Sequence, residues 1–233
     1  MGRNKLVVLT GAGISAESGI KTFRDENGLW EGHDVMEVAS PEGFRKNPEL
    51  VLDFYNQRRR QLFSVSPNSA HKFLAELEDA FEVTIITQNV DDLHERSGSK
   101  NIIHLHGELL KVRSVDNEQE ILDWESDLLL SHRSPGGSRL RPHIVWFGEA
   151  VPAMEMAIKK CTEADICLVI GTSLQVYPAA GLTQYCQGHI PVFYVDPSPN
   201  INYEMSLRDK LTIISKKATD SLLELKEQLA KLQ

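Results

Sequence analysis

The stretch Lys5-Leu6-Val7-Val8-Leu9-Thr10-Gly11-Ala12-Gly13-Ile14-Ser15-Ala16 decides the fold. A short apolar run, as expected of a strand buried on both faces, breaks off at Gly-x-Gly-x-x-Ala, and a helix start is expected behind it. That order fits a dinucleotide-binding turn. The first glycine permits the bend, the second lets a pyrophosphate approach the backbone, and the helix N-terminus adds partial positive charge. A tight strand–helix turn with no ligand has the same pattern, so the turn alone leaves both readings open. A hydride-transferring dehydrogenase would also end its second strand in an acidic residue roughly 20 residues on. Asp34 has that spacing but lies in a stretch without period. The turn supports a dinucleotide, but not its use in hydride transfer.

Outward from this turn, similar runs recur at Val83–Gln88, Asn101–His106, His143–Phe147, Ile166–Gly171, Pro191–Asp196 and Leu211–Ser215. Helical patterns lie between them at Pro48–Phe63, Ala70–Glu78, Ala153–Thr162 and Ala179–Gln187. This alternation predicts an α/β protein: a Rossmann-like parallel sheet with helices on both faces. The last segment, Ala218–Leu232, sets Leu222, Leu225, Leu229 and Leu232 on one stripe. The stripe is short, which favours a helix docked on the core over a coiled coil. Lys21–Ser40 and Asn117–Arg141 break the rhythm. Loops of that length in compact domains are functional or belong to a small inserted module.

The chain has 233 residues, the size of one large domain, with or without a smaller insertion. At 41% hydrophobic it can bury a core without metals or disulfides. The net charge is −8, and no basic block exceeds Arg58-Arg59-Arg60, which argues against nucleic acid as a partner held by bulk charge. No apolar stretch approaches the roughly 18 residues of a membrane span, and Met1-Gly2-Arg3-Asn4 shows no signal pattern. Cys161, Cys167 and Cys186 form no C-x-x-C pair, which speaks against a disulfide scaffold and a zinc ribbon. A soluble, cytoplasmic monomer is expected.

In an open parallel sheet, chemistry gathers beyond the carboxyl ends of the strands. Those ends read Thr87-Gln88-Asn89-Val90-Asp91, His104-Leu105-His106-Gly107 and Gly171-Thr172-Ser173. Asn89 and Asp91 suit ribose hydroxyls and a carboxamide, and a histidine suits general-base work. Taken singly, each is as well read as a helix cap or a structural imidazole. Their joint placement favours a site.

Gly11-Ala12-Gly13-Ile14-Ser15 with Ser18-Gly19-Ile20 and Phe23-Arg24, then Thr87–Asp91, His106-Gly107 and Gly171-Thr172-Ser173, resemble the ordered signature blocks of sirtuins. Pro41-Glu42-Gly43-Phe44, Glu108–Arg113 and Arg141–Glu149 are most similar to the short bacterial class III type. The resemblance spans about residues 5–180 and implies an NAD-dependent protein-lysine deacylase. It divides the chain into a Rossmann-like part, about 1–20, 65–106 and 143–233, and a small part, about 21–64 and 107–142.

The resemblance implies roles for individual residues. His106 is the general base, Asn89 orders ribose and water, and Asp91 holds the nicotinamide carboxamide. Gly11, Ala12, Gly13, Ser15, Arg24, Gln88, Gly171, Thr172 and Ser173 line the NAD cleft, and Phe23 shields the ribose. Val145, Trp146 and Phe147 flank the substrate lysine and pair with its backbone. Tyr55 and Arg58, three apart on one helix, read by themselves as a half-buried phenol and a solvated base. The resemblance makes them the Y-x-x-R pair that grips the carboxylate of succinyl- or malonyl-lysine. The implied reaction removes succinyl, malonyl and also acetyl groups from protein lysines, releasing nicotinamide and O-acyl-ADP-ribose. The alternatives are a sirtuin-type ADP-ribosyltransferase and a non-catalytic NAD- or ADP-ribose-binding module.

Two departures stand out. Sirtuins hold structural zinc on four cysteines in the small module, whereas Glu108–Phe147 has none and Ser114 stands where the first is expected. No zinc is expected, and burial of Ile121, Leu122, Trp124 and Leu128–Leu130 is expected to order the module instead. Near the adenosine ribose, Tyr194 replaces the usual Asn. Tyr194 or Asp196 is expected to substitute, with Lys217-Ala218 as the adenine-contacting loop.

Overall fold

The computed structural model describes residues 2–21, 29–30 and 32–232. Strand β1 (Lys5–Thr10) is followed by short 3₁₀ turns at Ala12–Ile14 and Ala16–Ser18, not by the expected α-helix. Next come β2 (Leu29–Trp30), β3 (His33–Asp34), α1 (Val35–Val38), α2 (Pro41–Lys46), α3 (Pro48–Leu62) and α4 (Ser69–Glu76). The middle of the chain forms β4 (Glu82–Thr87), α5 (Leu93–Arg96), β5 (Ile102–His104), β6 (Gly107–Ser114), β7 (Ile121–Asp123) and β8 (Leu140–Ile144). The last third forms α6 (Met154–Thr162), β9 (Ile166–Ile170), β10 (Val192–Val195), α7 (Tyr203–Ser206), β11 (Leu211–Ile214) and α8 (Leu222–Ala230).

Local chemistry sets the helix starts. Ser40 Oγ accepts from Gly43 N at 3.0 Å and Asn47 Oδ1 from Leu50 N at 3.1 Å, each just ahead of a proline that opens the helix. Asn68 and His71 form a reciprocal capping box on α4. The Ala179–Gln187 pattern forms 3₁₀ turns over Ala179–Tyr185 rather than an α-helix.

The main sheet has the order β11-β10-β9-β1-β4-β5, and every pairing is parallel. Side chains alternate between its faces. Leu6 and Val8 enter one core with α4 and α8, while Val7 and Leu9 enter another with α6 and the Ala179–Tyr185 turns. Leu225 and Leu229 of α8 are fully buried there, so this helix docks on the core. The chain leaves β1 toward β4 on one side and returns to β9 on the other. The carboxyl ends of β1 and β9 therefore flank a topological switch point, where open α/β sheets bind ligands.

A third core joins α1, α2 and α3 to a separate antiparallel sheet of order β7-β6-β8. The run expected as a parallel strand over His143–Phe147 thus belongs, as far as Ile144, to this smaller sheet. Apolar burial accounts for only part of the Asn117–Arg141 region. Leu128 is fully buried and Leu122, Trp124 and Leu130 pack half-buried on the third core, but Ile121 and Leu129 are 42% and 53% exposed.

Candidate active site

The glycines of the first turn act differently from the sequence reading. Gly11 is extended, with φ −141°, so it needs no special freedom. What matters is space: a Cβ on Gly13 would stand 2.7 Å from Gly171 O, and one on Gly11 would stand 2.8 Å from Thr172 Cβ. Gly171 has φ +67° and its carbonyl accepts from Gly13 N at 2.8 Å. The ends of β1 and β9 therefore touch backbone to backbone. No α-helix N-terminus stands behind the turn.

Above this contact opens a cavity of about 620 Å³, within the size range of small-molecule sites. It brings together Gly11, Ala12, Gly13, Gln88, Asn89, Asp91, His106, Gly171, Thr172 and Ser173. Asp196 and Ala218 line the same cavity, as do Tyr55, Arg58, Val145, Trp146 and Phe147. Ser15 is fully buried and does not line it. Its hydroxyl accepts from Asn89 Nδ2 at 3.1 Å and donates to Asp91 Oδ2 at 3.0 Å, so it holds both side chains from beneath. Phe23 and Arg24 lie outside the described residues.

His106 Nδ1 lies 3.1 Å from the carbonyl of Gln88, which assigns the proton to Nδ1 and leaves Nε2 as the acceptor. Burial holds this imidazole below its ordinary range despite the carbonyl's opposite pull. It is suited to accept a proton at neutral pH. Asp91 is pushed up to about 6 by burial, against the hydrogen bonds from Leu93 N and Ser15 Oγ. His104 takes another path: its Nε2 is 2.6 Å from Glu95, an ion pair that makes it structural. Asp34, the acidic residue at dehydrogenase spacing, caps α1 through Met36 N at 2.7 Å.

At the other end of the cavity, Tyr55 is fully buried and its hydroxyl accepts from Trp146 Nε1 at 2.9 Å. Burial raises the phenol well above its ordinary range, so it stays neutral and keeps its own proton to donate. The Arg58 guanidinium lies 4.5 Å over the Phe54 ring. Backbone pairing of Val145–Phe147 with a substrate does not run through their amides. Val145 N binds His106 O at 2.9 Å, Phe147 N binds Ala39 O at 2.9 Å, and Trp146 N binds Glu149 Oε2 at 2.8 Å. Trp146 O also accepts from Glu149 N at 3.0 Å, so pairing with a substrate backbone falls to the carbonyls of Val145 and Phe147.

Tyr194, expected near the adenosine ribose, is fully buried, and its hydroxyl donates to Thr172 O at 3.2 Å and accepts from Asn200 N at 3.1 Å. Of the two expected substitutes, Asp196 alone reaches the cavity.

Sequence reasoning missed two carboxylates on the cavity wall. Glu17 takes Thr219 Oγ1 at 2.7 Å and Thr219 N at 3.2 Å, which ties the Lys217–Ala218 loop to the first turn. Glu149 receives Arg141 NH1 at 2.6 Å and Arg113 NH2 at 3.3 Å, and Arg141 stacks 3.4 Å over the Trp146 ring. A signal existed for Glu149, at the end of Arg141–Glu149, but its two arginine partners were not foreseeable from spacing.

The cradle of backbone at Gly13 and Gly171, the size of the cavity and its polar wall fit a dinucleotide. A structural zinc does not fit. Among the described residues no group of three or more His, Cys, Asp or Glu is placed to hold a metal ion. The three cysteines are buried in the core shared by α6 and β9.

Fold and cavity together define an α/β dinucleotide-binding protein whose cavity also carries Tyr55 and Arg58 on its wall. The Sir2 family model matches residues 11–178, and the chain belongs to the Sir2 family. An NAD-dependent protein deacylase of Helicobacter pylori is 63% identical over 192 residues, covering 82% of this chain and 84% of that protein. One of Bacteroides thetaiotaomicron is 50% identical over 230 residues, covering 96% and 97%. A crystal structure of a Sir2 homologue–NAD complex superposes with a TM-score of 0.84 at 39% identity, covering 99% of this chain and 91% of that one.

Proposed function

We propose that the chain is an NAD-dependent protein-lysine deacylase that prefers succinyl and malonyl groups and also accepts acetyl. The activity rests on family membership and on relatives that carry the name NAD-dependent protein deacylase. The observation that carries the acyl preference is one continuous cavity with His106 and Asp91 on its wall together with Tyr55 and Arg58.

When bound, NAD supplies a glycosidic carbon whose leaving group is nicotinamide. The roles of this chain's residues follow from their surroundings. His106 takes up a proton at Nε2 while Gln88 O fixes Nδ1–H. Asn89 and Asp91, held from below by Ser15, orient the sugar and the carboxamide. The Tyr55 hydroxyl, its acceptor side occupied by Trp146, offers a proton, and Arg58 offers charge. An acceptor-only, anionic acyl terminus matches both. The cytoplasmic assignment rests on three cysteines without a disulfide.

The test is mass spectrometry of succinyl-, malonyl- and acetyl-lysine peptides with and without NAD. NAD-dependent loss of succinyl or malonyl with formation of O-acyl-ADP-ribose is expected. Nicotinamide release with the acyl group retained would favour ADP-ribosyl transfer. NAD binding without turnover would favour a binding module.

A further inference from the structure

Helix α3 carries two pairs of polar residues, offset by one position and so by about 100° around its axis. Tyr55 and Arg58 form the cavity pair. Asn56 and Arg59 face the small module, and both are buried, at 5% and 1% exposure. Asn56 meets the main chain of Leu128 on both sides: Nδ2 donates to Leu128 O at 3.0 Å, and Oδ1 accepts from Leu128 N at 2.8 Å. The same Oδ1 accepts from Arg59 NH1 at 2.7 Å, while Arg59 Nε donates to Leu109 O at 3.1 Å. One amide and one guanidinium thus bind α3 to β6 and to the segment after β7.

Proteins of the family this chain resembles order this module with zinc on cysteines, which are absent here. Apolar burial is partial: Leu128 is fully buried and Leu122, Trp124 and Leu130 pack half-buried on the third core, while Ile121 and Leu129 are exposed. A guanidinium buried this deeply is costly unless its acceptors are fixed. The oxygens of Asn56 and Leu109 must therefore be held in place, which demands a rigid module.

We propose that Asn56 and Arg59 are positioning residues that join the small module to α3 without a metal, and so set the acyl selectivity of Tyr55 and Arg58. The selectivity part rests on the acyl reading above. The clasp and the pocket pair share one helix turn, so α3 cannot rotate to loosen one without moving the other. Tyr55 is also bonded to Trp146, which follows β8 of the same small sheet. Release of Leu128 therefore loosens the pocket from both walls.

The experiment uses the full chain and the variants Asn56→Asp, Asn56→Leu and Arg59→Met. Asn56→Asp keeps the acceptor for Leu128 N and loses the donor to Leu128 O, so it reads the selectivity, and Arg59→Met reads the clasp, even where Asn56→Leu does not fold. Three quantities are measured: kcat/KM on succinyl- and acetyl-peptides, KM for NAD, and amide exchange at Leu128 and Leu109 against Ile85. Expected for Asn56→Asp is about a tenfold loss of succinyl-over-acetyl preference with KM for NAD unchanged, and for Asn56→Leu, which removes the acceptor of Leu128 N, faster exchange at Leu128. Arg59→Met should also speed exchange at Leu128, because it removes the guanidinium that fixes Asn56 Oδ1, and leave Leu109, whose amide binds Val90 O at 2.7 Å, unchanged. A chelator should leave Tm of the wild type unchanged. Unchanged exchange at Leu128 in Asn56→Leu and Arg59→Met, or a chelator that lowers Tm, overturns the metal-free clasp. Equal loss of both acyl activities overturns the selectivity role. A wild type without succinyl preference overturns the acyl reading and that role together, while the exchange measurement still decides the clasp.

Discussion

At the nucleotide end of the cavity, main chain meets main chain: Gly13 N and Gly171 O lie 2.8 Å apart, with no room for a Cβ between them. At the acyl end, contact runs through long side chains. Tyr55 meets Trp146, Trp146 lies under Arg141, and Arg141 is held by Glu149. The first end is rigid because nothing can be removed from it, whereas the second is rigid only while every partner is present. The first can accept one class of cofactor with little freedom to change. The second can be retuned by single substitutions.

The sharpest way to break this contrast is at the residue between the ends. His106→Ala should lower kcat by about 10²–10⁴-fold while NAD affinity, read by calorimetry, stays near wild type. A parallel loss of NAD binding would show that His106 belongs to the cradle and not to the chemistry. At the acyl end, Arg58→Met should reduce kcat/KM for succinyl peptides by about 10- to 100-fold and for acetyl peptides far less. An equal fall on both substrates would mean that the pocket does not read charge.

Asp91 separates stability from function. Its pKa is raised from 3.8 to about 6, so between those values the folded state holds more protons than the unfolded one. Stability therefore falls as pH rises through that window, and at pH 7 the buried carboxylate costs up to about 3 kcal/mol. Asp91→Asn should raise Tm at pH 7, leave it unchanged near pH 3.5, and impair turnover. A lower Tm at pH 7 would mean that the hydrogen bonds from Ser15 and Leu93 outweigh the burial cost. A matched pair in the small module tests the packing alone. Leu128→Ala should cost about 2–5 kcal/mol, and its exposed neighbour Leu129→Ala about 0.5 or less, by denaturant unfolding. Equal values would contradict the burial difference between them.

The same contrast explains what could be read in the sequence. The cofactor end is local: a strand, Gly11 and Gly13, then polar residues just past later strands, all marked by short-range pattern. The parallel sheet and the gathering of Gln88, Asn89, Asp91, His106 and Gly171–Ser173 in one cavity were legible for that reason. Tyr55 and Trp146 are 91 residues apart, and Asn56 and Leu128 are 72 apart, so no spacing rule connects them. In place of the α-helix expected after Gly13 stand two 3₁₀ turns, the second ended by Gly19 at φ +99°. Ser15 reads as a cofactor ligand from its motif, yet the fold turns its hydroxyl inward to Asn89 and Asp91.

Gly107 has φ +86° and begins β6, while Leu105 N still binds Thr87 O of the parallel sheet at 2.9 Å. His106 is thus the residue between the last tie to one sheet and the first residue of the other. Its imidazole takes its aim from both: Nδ1 rests on Gln88 O, just past the parallel sheet, while its own carbonyl accepts from Val145 N, just past β8.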